Sequence, residues 1–94
     1  METRFQANSN FILREIAGDY ILVPTGDAIK SFNGLISLNE TGAFLWSLLE
    51  QKRTLAELSE FMAKDYEMTA EECETDIREF LEPALEKQVV LRYS

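Results

Sequence analysis

The residues able to do chemistry in this chain are few. Histidine is absent and Cys73 is the only cysteine among 94 residues. Ser-His-Asp and Cys-His catalysis are therefore excluded, and so is any histidine-ligated metal. An internal disulfide needs a second cysteine, and no Cys/Cys or Cys/His metal spacing exists. Cys73 falls on the apolar face of a predicted helix with no base to activate it, so it reads as a buried, inert thiol. The carboxylates Glu71, Glu72, Glu74 and Asp76 lack the loop pattern and glycine of a calcium-binding hand. A helix scatters them around its axis, and acids favour a first turn. Gly18, Gly26, Gly34 and Gly42 form no phosphate-cradling motif. No catalytic, cofactor-binding or metal-ligating residues are expected, and the chain does not read as an enzyme.

Charge narrows the partners. Seventeen acidic residues against nine basic ones give a formal net charge of −8. A nucleic-acid binder neutralises phosphates with Lys and Arg, so this balance argues against one. It disfavours anionic membrane surfaces for the same reason. Residues 1–10 (METRFQANSN) lack the apolar core of a signal peptide, and no apolar run approaches a membrane span. With one cysteine, a reducing, cytoplasmic home is the expectation. At 46% hydrophobic residues the chain is expected to fold, as one small domain over 11–94 preceded by a flexible lead-in over 1–10.

The elements follow from periodicity and punctuation. Phe11–Ala17 and Tyr20–Val23 are β-prone runs around Gly18-Asp19, which predicts a tight hairpin with a II′ turn. Ala28–Phe32 is either a strand or one helical turn. Asn33-Gly34 signals a turn before Leu35–Leu38, the third strand of an antiparallel meander. Asn39 or Thr41 then caps the first helix. Gly42 in its first turn points to the close approach of another backbone. Leu45, Leu48 and Leu49 form its apolar stripe. Thr54-Leu-Ala-Glu57 and Thr69-Ala-Glu-Glu72 are capping boxes opening the second and third helices. The third carries Ala70, Cys73, Ile77, Phe80, Leu81, Ala84 and Leu85 on one face. Pro83 is expected to kink it or end its regular part near Glu82. Val89–Tyr93 is a last strand or a tail. The predicted class is α+β and winged-helix-like: a three-stranded antiparallel sheet, then a three-helix bundle.

In a DNA-binding winged helix the third helix would enter the groove. Here Thr69–Lys87 holds seven acidic residues against Arg78 and Lys87, a net charge of −5. A phosphate-lined groove repels such a helix. The sheet edge remains. Leu35–Leu38 is short and uncharged, without one common protection against pairing. Either an extended peptide adds to it, with the third helix as the opposite wall, or Thr25–Asn33 or the C-terminal tail covers it.

Three stretches carry a family resemblance: Leu38–Trp46 (LNETGAFLW), Thr54–Leu58 (TLAEL) and Asp76–Leu81 (DIREFL). With Leu13–Tyr20 and Val23-Pro24 upstream, the chain resembles the PqqD family from about Phe11 to Leu91. The resemblance implies a winged-helix-like peptide chaperone without catalytic residues. It binds the leader of a ribosomally made precursor peptide as an added strand, between the third strand and the third helix. It presents that leader to a modifying enzyme, often a radical S-adenosylmethionine enzyme. Contacts are expected from the backbone of Leu35, Ile36 and Ser37 and from Cys73, Ile77 and Phe80. Thr25–Asn33 is longer than in the quinone-pathway protein, and Gln88 replaces a common glycine. These departures point to a PqqD-like protein serving another peptide, as a monomer or weak homodimer. The alternative is an acidic winged-helix regulator acting through protein contacts, without leader binding.

Overall fold

The computed structural model describes residues 2–31 and 34–94. The element order is β1 (Arg4–Ala7), β2 (Phe11–Ile16), β3 (Asp19–Pro24), α1 (Ala28–Ser31), β4 (Ile36–Leu38), α2 (Glu40–Leu48), β5 (Arg53–Thr54), α3 (Leu55–Tyr66), α4 (Ala70–Glu86) and β6 (Val90–Tyr93). The strands make two antiparallel three-stranded sheets, ordered β2-β3-β4 and β5-β1-β6. The architecture is α+β, with a second sheet beyond the elements predicted and a short helix, α1, in place of the strand alternative for that segment.

The meander β2-β3-β4 has the predicted order. Its register pairs Leu13 with Leu22 and Leu22 with Ile36, and Tyr20 with Leu38. Alternation then places Phe11, Leu13, Leu22, Ile36 and Leu38 on one face, all in or against the core. The hairpin differs in its turn. Ile16 pairs with Asp19, so the two loop residues are Ala17 and Gly18, at φ 52° and 85°. Positive φ at both central positions is the I′ pattern rather than II′, since the register moves the loop one residue back and puts Ala17 as well as Gly18 in the turn. The segment 28–32 resolves into helix over Ala28–Ser31. The expected Asn33-Gly34 turn lies partly outside the described residues, as does Phe32.

The N-terminal segment corrects the sequence reading most. Instead of a flexible lead-in, Arg4–Ala7 is the central strand of the second sheet, between β5 and β6. Phe5 is only 6% exposed. The Ala7 N–H donates to the Leu49 carbonyl at 2.8 Å, and the Asn8 N–H to the Val89 carbonyl at 2.9 Å. A polar composition hid one inward-facing aromatic on a short strand.

The helices begin where their caps predict. Asn39 caps α2, its side-chain oxygen accepting from the Gly42 N–H at 2.7 Å. Thr54 and Thr69 complete reciprocal boxes with Glu57 and Glu72. Glu67 closes α3 in the left-handed region, at φ 51°. Pro83 does not end α4, which continues to Glu86. The Lys87 N–H reaches the Pro83 carbonyl at 3.0 Å, and the Val89 N–H the Ala84 carbonyl at 3.0 Å. Pro83 has no N–H of its own to donate to the ladder. Leu45, Leu49, Leu58, Met62, Cys73, Ile77, Leu81, Val89 and Val90 form the centre of the core.

Candidate peptide-binding groove

β4 is an edge. In the order β2-β3-β4 it is hydrogen-bonded to β3 on one side, and among the described residues no strand pairs with its other side. The C-terminal strand does not cover it, because β6 joins β1 in the second sheet. Backbone donors and acceptors along a free edge are a ready template for another strand.

The free side opens on a groove of about 340 Å³. One wall is Ile36, Ser37 and Leu38 of β4, continued by Asn39, Thr41 and Gly42 at the start of α2. The opposite wall is one face of α4: Asp76, Glu79, Phe80, Pro83, Ala84 and Lys87, with Val89 beyond the helix end. The spacing of three and four residues from 76 to 87 is that of a single helical row. At 1.5 Å per residue this row runs about 16 Å, the length of roughly five extended residues.

Local chemistry fixes both walls. The Asn39 cap ties the end of β4 to the first turn of α2. A Cβ built on Gly42 would lie 3.1 Å from Asn39 Oδ1, 3.4 Å from the Phe80 ring and 3.5 Å from Leu38 Cβ. The close approach at Gly42 is thus to side chains from both walls, where the sequence pointed to another backbone. Small size there lets Phe80 sit against the α2 terminus. The Val89 side of the groove is held from below by the Asn8 backbone bond and by the Asn8 side-chain amide, which donates to the Gln88 carbonyl at 2.9 Å.

The expected contact residues divide. Ile36, Ser37 and Phe80 line the groove. Leu35 precedes β4 and is 62% exposed, outside the lining. Cys73 and Ile77 are fully buried at 0% exposure and do not line the groove. Their row faces the core. The groove row follows three residues later on the helix, Asp76 after Cys73 and Phe80 after Ile77, and Ala84, buried yet lining the groove, belongs to both rows. Three residues turn a helix by about 300°, so the two rows are roughly 60° apart. Apolar periodicity finds the buried row, whereas the groove row mixes charge, an aromatic ring and proline. Asp76, Glu79, Pro83 and Lys87 were not among the expected contacts, and Pro83 was the one sequence signal that α4 has an unusual face.

Burial pushes the Cys73 thiol up, with Asp76 and Glu72 adding to the shift. Such a thiol is a poor nucleophile. The Thr69 backbone N–H bond, then its hydroxyl bond, holds Glu72 below the usual carboxylate range, so this acid serves the helix cap. Among the described residues no group of three or more His, Cys, Asp or Glu could hold a metal ion. No helix among them is long and apolar enough to cross a membrane.

The pattern of the family described as coenzyme PQQ synthesis protein D (PqqD) matches residues 19–90. This chain belongs to the PqqD family. The match includes β3, β4, α2 and α4, and so every element that builds the groove. Among solved structures, this PqqD-family chain is similar to "TbiB1 in Complex with the TbiA(beta) Leader Peptide". The TM-score is 0.72 at 20% identity, over 95% of this chain and 98% of that one. At that identity the likeness shows the fold. No curated protein matches the sequence.

Proposed function

We propose that this chain is a non-catalytic peptide chaperone. It binds the leader of a ribosomally made precursor peptide by strand addition to β4 and presents it to a modifying enzyme, of the radical S-adenosylmethionine class. The observation that carries this reading is the unpaired edge of β4 facing α4 across a groove long enough for about five extended residues. Family membership supports it, as does the likeness to a protein whose structure is of a leader-peptide complex. The chain has no histidine, and its one thiol is buried, which agrees with a binding role.

In this reading the backbone of Leu35–Ser37 gives the leader its hydrogen bonds. Ile36, Leu38 and Phe80 take its inward side chains. Cys73 and Ile77 act from behind, by holding α4 on the core. The protein works in the cytoplasm, where a lone unpaired cysteine is at home.

The test is titration of isotope-labelled protein with the leader of a precursor encoded beside it. The expected result is saturable movement of the amide signals of 35–38 and of 76–87. Unmoved signals in both segments, with a leader that the neighbouring enzyme requires, would sink the proposal. If the protein instead sedimented as a stable dimer with no leader affinity, the regulator reading would replace it.

A further inference from the structure

Asp76 and Glu79 stand on the α4 wall of the groove, one turn ahead of Phe80 and Pro83. Lys87 stands at the far end of the same row. Among the described residues neither acid has a basic side chain within ion-pair distance. The nearby Arg78 points its guanidinium at Glu74 instead, at 4.0 Å across an exposed turn of helix. The groove thus has a graded lining: negative charge at one end, an apolar middle of Phe80, Pro83 and Ala84, and one positive charge at the other end. α4 as a whole is strongly acidic, which adds a field of the same sign along that wall.

We propose that this groove selects a peptide strand that carries a Lys or Arg side chain opposite Asp76 and Glu79, followed by apolar side chains over Phe80 and Pro83. The inference rests on the peptide-binding reading above and deepens it by naming the chemistry of the occupant. The site is the groove between a sheet edge and a helix, and the two acids set which strand fits it. Edge backbone bonds are blind to sequence, so specificity has to come from groups that meet the added strand's side chains. On an added strand alternate residues face the same wall. The basic residue and the first apolar residue are therefore two positions apart, about 6.6 Å, close to the rise of one turn from Asp76 to Phe80. Charge matching of this kind also speeds encounter and penalises acidic competitors.

The test uses a library of random twelve-residue peptides displayed on phage and selected against the full chain. Individual winners are then mapped by amide shifts and measured by titration. The expected result is that binders shifting 36–38 are enriched in Lys or Arg relative to the library. Their affinity should fall about three- to tenfold in D76N/E79Q, the range for losing two partly exposed ion pairs. The single exposed substitution E79Q should show part of that loss, and 0.5 M salt should reduce it. E71Q/E82Q removes the same formal charge outside the groove lining and should leave affinity within about twofold. Groove binders without Lys or Arg enrichment, or equal affinity in D76N/E79Q and the unaltered chain, overturn this inference while the peptide-binding reading stands. A library that yields no binder shifting 36–38 overturns both.

Discussion

Phe5→Ala tests the strand that the sequence conceals. Phe5 sits in the central strand of the β5-β1-β6 sheet at 6% exposure, so nearly the whole ring is lost from a packed site. Truncating a buried phenylalanine costs about 3–5 kcal/mol, the transfer term plus the cavity left behind. A domain of this size has about 5–14 kcal/mol of total stability, so the loss is a large fraction of it. Part of the damage is aimed at the groove: the same segment holds Val89, through the Asn8 N–H at 2.9 Å, and Gln88, through the Asn8 amide. The assay is urea unfolding followed by far-ultraviolet circular dichroism. With a slope of about 1.5 kcal/mol per molar urea, a loss of about 4 kcal/mol lowers the midpoint by roughly 2–3 M. Thr3→Ala, on the exposed residue just before β1, should move stability by no more than about 0.5 kcal/mol. A Phe5→Ala midpoint within about 0.3 M of the unaltered chain would refute the placement of β1 in the core.

Phe80→Ala and Leu81→Ala should separate groove from core: Leu81 is buried and its loss costs about 2–5 kcal/mol of stability, whereas half-buried Phe80 costs less. In titrations with a groove-selected peptide, Phe80→Ala should lose affinity by about tenfold and Leu81→Ala by little; the reverse order would contradict the lining described. Glu57 and Glu72 have carboxyls held below their ordinary value of 4.5, first by the Thr54 and Thr69 backbone bonds respectively. A lowered folded-state value stabilises above the unfolded value and is lost as pH falls through the folded one, so thermal midpoints should drop on acidification below about pH 4.5, and E57Q/E72Q should flatten that drop. Pro83→Ala restores a backbone donor inside α4 and should raise the unfolding free energy, by up to about 3 kcal/mol if the helix is otherwise unstrained, and the urea midpoint with it; a lower midpoint would mean that the pyrrolidine ring packs better than the ladder bond it removes.

Local rules read well where one residue has one job. Asn39, Thr54 and Thr69 predict three helix starts, because a cap oxygen meets an orphan N–H within one turn. β-prone runs punctuated by Gly18-Asp19 and Asn33-Gly34 reveal the meander, whose register pairs Leu13 with Leu22 and Leu22 with Ile36. Where two sheets share a short chain, the signal thins. Arg4–Ala7, Arg53–Thr54 and Val90–Tyr93 are separated by most of the sequence, and nothing in RFQA announces that its partners lie at 53–54 and 90–93. The site shows the same limit. β4 and α4 were legible as its walls, but of the three α4 residues expected there only Phe80 lines the groove, while Cys73 and Ile77 lie on the buried face. The apolar pattern marks what is hidden from water, and a binding wall is by necessity less hidden. The turn type at Ala17-Gly18 was missed because alanine at positive φ is rare, and strand register there outweighs that local preference.

The geometry of β4 also bears on self-association. An unpaired edge invites endless sheet extension, in which each chain templates the next and fibrils grow. Here the strand is three residues long, and α4 stands across the gap. A single guest strand placed there meets a helix on its outer side, which offers no further ladder for a second guest. At β4, therefore, α4 limits strand addition to a single guest.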